Sequence, residues 1–191
     1  MLAPISIGFR ALQLLMAAVV VGLSVTLLKG QVVPPTPTTT RYSVFTGAFG
    51  MIVAFLGLVC LFISAIPALV PMVLDALAGL LLLAGGIAWA VGLKGVKCDE
   101  DHALALYDNG LLNEGCISDG KKGDRPICGV YSGDADDRKA FDRLNARCKY
   151  AMSDEIIQFI LFAVSAILLL LGFLIMRKGK GGGRGTRGRY V

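Results

Sequence analysis

Four long apolar runs constrain this chain more than anything else in it. They are read at residues 7–28, 44–66, 70–93 and 156–176. The second and fourth hold no charged side chain, the third only Asp75, and the first only Arg10, with Gln13 close by. A helix of about 18 or more apolar residues, rising 1.5 Å per residue, is long enough to cross a hydrocarbon core about 30 Å thick. No water reaches backbone amides in that core, so each run must close its hydrogen bonds internally as a helix. The alternating pattern of a membrane barrel is missing from these runs. Composition agrees, with 55% hydrophobic and 17% charged residues, against roughly a quarter charged in a soluble domain. The expected fold class is an all-α membrane protein, a four-transmembrane-helix bundle over residues 1–176 with a short tail at 177–191. Between the second and third runs, SAIPALVP carries Pro67 and Pro71. Proline ends a helix but suits its first turn, which predicts a tight hairpin at Pro67 and a third helix opened by Pro71.

Charge sets the expected orientation. The tail carries Arg177, Lys178, Lys180, Arg184, Arg187 and Arg189 and no acidic side chain, whereas the connection 94–152 holds ten cations and eleven acids. Positive-inside reasoning places the tail in the cytoplasm, and four crossings return the N-terminus to the same side. The rival reading of residues 1–28 as a cleaved signal peptide fits poorly, because the apolar stretch is long and no A-x-A site follows it. The tail cations either bind anionic lipid headgroups or simply fix topology.

Cysteine placement is an independent check. Cys60 falls in the second helix, while Cys98, Cys116, Cys128 and Cys148 all fall in the outer connection between helices three and four. Four thiols in an oxidising compartment suggest two bridges, chosen from three connectivities. A Cys98–Cys148 pair would staple the loop at its base, and Cys116–Cys128 would close a small inner loop around SDGKKGDRP. A metal site at Cys98 and His102 is disfavoured, since the chain has one histidine and no C-x-x-C.

Local patterns add detail. The stretch SGDADDRKAFDRLNARCKY, acids first and cations last, reads as a short amphipathic helix leading to the membrane. Ser153, Asp154 and Glu155 then read as the cap and acidic first turn of helix four. Trp89 suits an interfacial anchor. Gly47, Gly50, Ala54, Gly57 and Ser64 recur at spacings of three, four, three and seven, and helix three adds Gly85 and Gly86, helix one Ala18 and Gly22. Small residues let helices approach closely in lipid, where no hydrophobic drive separates helix from solvent. They pack the bundle itself or join copies of it. Asp75 lies about one turn inside Pro71. It reads as a structural acid at a helix start, bonded to Ser64 or paired with Arg10, or as a contact for lipid or a partner helix.

LDALAGLLLLAGGIAWAVGLKGVKC (74–98) and RCKYAMSDEIIQFILF (147–162), with an acid early in helix three and a cysteine outside each of the last two helices, resemble fungal MARVEL-domain proteins, notably the non-classical export group. The resemblance covers roughly residues 5–176. It implies a non-enzymatic plasma-membrane organiser, associated with membrane domains, vesicle trafficking or sphingolipid sensing. It also implies that Cys98 and Cys148 are partners. Expected partners are membrane lipids, anionic at the tail and sphingolipid within the bilayer, together with further copies or other membrane proteins. No paired acids, nucleophile–base arrangement or phosphate-cradling loop suggests catalysis, so no enzyme, cofactor or nucleic-acid role is expected. Alternative readings are a small transporter or channel subunit using Asp75, and a tetraspanin-like surface protein acting through the outer loop.

Overall fold

A computed structural model describes residues 2–30, 36–63, 67, 69–113 and 135–181. Every regular element among them is helical: α1 (Leu2–Lys29), α2 (Thr38–Phe62), α3 (Leu69–Gly92), a 3-10 turn (Glu100–His102), α4 (Ala103–Asp108), α5 (Gly110–Asn113) and α6 (Ala135–Gly181). Four helices, α1, α2, α3 and α6, are long and apolar enough to cross a membrane. α1 packs on α2 and α6, and α3 packs on the same two. The four therefore form a closed bundle in which α1 and α3 face each other across the centre.

Each helix turns a seam of buried residues inward at alternating spacings of three and four. On α1 the seam is Ser6, Arg10, Gln13, Ala17, Val20, Ser24 and Leu27. On α2 it runs Thr40, Ser43, Gly47, Gly50, Ala54 and Gly57. This is the periodicity of helices crossing at a shallow angle in a bundle. The seam is rich in small and polar residues, and the large apolar side chains point away from it: Leu15, Phe55, Leu80, Val91 and Leu170 are all exposed. A bundle in water would show the reverse; in lipid, small residues draw the helices together and bulky ones meet acyl chains.

The end carrying the connection between α3 and α6 is capped by its own small core. Leu27, Trp89, Leu93 and Val96 pack with Leu106 and Leu112 of α4 and α5 and with Phe141, Leu144 and Cys148 of α6. The chain leaves α3 through Gly95, whose φ of +80° lies in the left-handed region that glycine tolerates best. Asn109 then caps α5: its Oδ1 accepts from the Leu111 and Leu112 amides, while its Nδ2 donates to the Gly92 carbonyl at 2.9 Å. The Cys98–Cys148 disulfide, with Cα atoms 5.7 Å apart, ties this cap to α6.

Three expectations are corrected. Helix four does not begin at Ser153; α6 runs unbroken from Ala135, and Ser153 lies exposed on it. The segment expected as a separate amphipathic helix is its first part. No glycine or proline stands between Ala135 and Gly172, so nothing stops the helix at the membrane boundary. Trp89 is not an interfacial anchor: it is 1% exposed and belongs to the capping core. α2 begins at Thr38, directly after Pro37, and ends at Phe62, where Ile63 turns extended. Ser64, Cys116, Cys128, Arg184, Arg187 and Arg189 lie outside the described residues, and with them the Ser64–Asp75 bond and the inner disulfide.

Candidate functional site

The interior of the bundle is built in layers, and two of them are polar. In the first, Arg10 of α1 reaches across the centre to Asp75 of α3. Nη1 donates to Oδ1 at 2.5 Å and Nη2 to Oδ2 at 2.6 Å, a two-pronged pair with both residues buried. Charge-assisted bonds of this fork geometry are the strongest a protein makes, and a charge in hydrocarbon without one costs several kcal/mol. Arg10 Nη1 also donates to Gln13 Oε1 at 3.1 Å, and Gln13 Nε2 donates to Ser165 Oγ at 3.2 Å. The layer thus joins α1, α3 and α6. Gly57 supplies the α2 side: a Cβ there would collide with the Arg10 guanidinium. Beside the pair a cleft of about 620 Å³, counting its open mouth, is bordered by Cys60, Pro71, Met72 and Gly172. Cys60 is half-buried there and forms no disulfide.

An apolar layer follows two turns along, with Ala17, Val20, Leu82 and Leu161 at its centre. The second polar layer stands two turns further. The hydroxyls of Ser24 and Ser43 lie 2.8 and 2.5 Å from Oδ2 of Asp154, and Gln158 Nε2 donates to Ser43 Oγ at 2.6 Å. Ser24, Ser43, Asp154 and Gln158 are all fully buried. Here α1, α2 and α6 are joined, and Gly85 of α3 makes room, since a Cβ there would run into Gln158 Oε1. At the end of the bundle Arg147 forms a third polar contact: Nε donates to the Leu112 carbonyl and Nη1 to the Leu27 carbonyl, each at 3.1 Å.

The residues singled out in the sequence therefore meet different fates. Arg10 and Asp75 come together. Gly47 faces Val20 and Val21 of α1, Gly50 faces Ala17 and Leu82, Gly86 faces the Phe159 ring, which a Cβ there would meet at 3.1 Å, and Ala54 is buried with them. All of these small residues are used inside one copy of the bundle. Lys178 and Lys180 continue α6 past the membrane run, and Arg177 stands over the Phe173 ring, 5.7 Å from its centre. Among the described residues no group of His, Cys, Asp and Glu is placed to hold a metal ion.

Sequence reasoning missed the second layer and Arg147. Asp154 was assigned to a helix start and Gln158 was passed over. The available signal was spacing: Gln13 follows Arg10 by three, and Gln158 follows Asp154 by four, as inward-facing neighbours on a helix do. A family model described as MARVEL, membrane-associating domain, matches residues 3–171, which takes in α1, α2, α3 and most of α6. No curated protein and no solved structure gives a significant match.

Proposed function

Since the chain belongs to the MARVEL family of membrane-associating domains, we propose that it is a non-enzymatic organiser of plasma-membrane domains. It self-associates and gathers lipids and partner membrane proteins, with both termini in the cytoplasm. The link to trafficking and sphingolipid sensing, and the likeness to the fungal non-classical export group, belong to the same reading. The observation that supports it is the outer face of α1. There Gly8, Ala18 and Gly22 are exposed between Leu12, Leu15 and Val19, and a Cβ on Gly8 or Gly22 would meet nothing within 4 Å. Gly47, Gly50 and Gly57 of α2 and Gly79, Gly85 and Gly86 of α3 are consumed inside the bundle, but these residues of α1 point outward, where a second helix can approach closely.

Imaging of a fluorescently tagged chain tests the proposal. The wild type should collect in patches that dissolve when sphingolipid is depleted. Ala18→Leu with Gly22→Leu should spread the protein evenly while the Cys98–Cys148 disulfide still forms. Uniform fluorescence of the wild type, or patches unchanged in the double variant, would overturn it.

A further inference from the structure

We propose that the cleft between the C-terminal end of α1 and the start of the membrane run of α6 holds the phosphodiester of a membrane phospholipid, with Arg147 as its principal partner. The proposal rests on the membrane-spanning reading and not on self-association.

Arg147 is 8% exposed, yet its two bonded acceptors, the Leu27 and Leu112 carbonyls, are neutral. They are end-of-helix carbonyls with no partner inside their own helices, so they carry partial negative charge only. Among the described residues no carboxylate pairs with this guanidinium; the two ion pairs found are Arg10–Asp75 and Asp99–His102. A buried cation without an anion is costly, and Nη2 holds two further N–H groups. The site is also shaped for the group. Gly30 stands where any Cβ would collide with Nη1, so bare backbone at the end of α1 is what admits the guanidinium. A cleft of about 510 Å³, counting its open mouth, leads to it past Arg143, Ala146 and Tyr150. Tyr150 at its mouth is 42% exposed, with a hydroxyl to donate.

Depth selects the ligand. The bonds Gln13–Ser165, Ser24–Asp154 and Leu27–Arg147 fix the register of α1 against α6. From Arg10 to Leu27 the helix rises about 25 Å, and the next residue but one is the exposed Lys29. Arg147 therefore sits at the boundary where hydrocarbon gives way to headgroups. A phosphodiester held there by its own acyl chains is the anion at that depth, and a planar guanidinium matches it with two parallel bonds. The mainly apolar wall suits the glycerol and upper acyl carbons.

The test is native mass spectrometry of the full chain released from a neutral detergent. Three probes are added: phosphatidylcholine, whose zero net charge keeps the basic tail from competing, diacylglycerol with the same acyl chains, and sodium phosphate. The wild type should retain one phosphatidylcholine, and diacylglycerol about tenfold less. Arg147→Gln and Gly30→Val should abolish retention, and Tyr150→Phe should weaken it about tenfold. Tyr150→Phe keeps the test decisive if the first two misfold, with the Cys98–Cys148 disulfide as the marker of folding. Equal retention of diacylglycerol, displacement of the lipid by millimolar phosphate, or wild-type retention in Tyr150→Phe would each overturn the proposal. Because single copies are weighed, loss of clustering in cells would leave this result standing.

Discussion

Arg10 and Asp75 show how one residue changes meaning with its partner. Alone, either would be an uncompensated charge in hydrocarbon; joined by two bonds they are a neutral strut across the bundle. Asp75→Leu should therefore cost about 3–5 kcal/mol, because it strands the buried guanidinium. The double variant Arg10→Met with Asp75→Leu should recover most of that loss. Detergent-denaturation curves of the singles and the double decide it, and equal losses in all three would count against the strut. Gly57 belongs to the same device. Gly57→Leu should unseat Arg10, so it is expected to lower stability rather than only disperse clusters. The pairing was legible as one option in the sequence because both residues fall about one turn or two inside their helices. The two-pronged geometry and the glycine against its back were not, since neither leaves a trace in spacing.

At the level of elements, the alternating three-and-four seam explains both why the helices pack and why their stability resists inspection by hydropathy. Layers such as Ser24–Ser43–Asp154–Gln158 specify register, because a slip of one residue on any helix leaves buried polar groups without partners. Gly85→Leu should drive Gln158 from Ser43 and cost about 1–3 kcal/mol through overpacking, read as a shift in thermal unfolding. Continuity of α6 makes a sharper prediction. Glu155→Pro would be tolerated if a helix started at Ser153, since proline suits a first turn. In an unbroken helix it removes a hydrogen bond and clashes with the preceding turn, for about 3 kcal/mol. Circular dichroism and unfolding of this variant separate the two cases. The amphipathic order of charges in the segment before Cys148 was visible; its fusion with the membrane run was not, because a cap signal at Ser153 to Glu155 competed with the lack of any breaker.

The whole molecule is a bundle closed at one end. Cys98–Cys148 joins the exit of α3 to α6 across a sequence separation of 50 residues, and the cap core of α4, α5 and α6 sits over it. Reduction should lower the unfolding free energy by about 2–4 kcal/mol, the scale for a loop of that length. Thermal scans with and without reductant measure it, and Cys148→Ser should match the reduced wild type. In the proposed orientation the basic tail is shielded from protease applied to intact cells, while the cap is not.

The sequence by itself determined that the chain spans a membrane and how many helices do so, because the length of an apolar run is a property of a short stretch; it left the loop cysteines among three pairings, of which the fold forms Cys98–Cys148. It did not determine which small and polar side chains meet. Those encounters join residues up to 152 positions apart, as at Gln13 and Ser165. Only the packing of four helices decides which seam faces which, and so turns isolated acids, amides and hydroxyls into layers that hold the register.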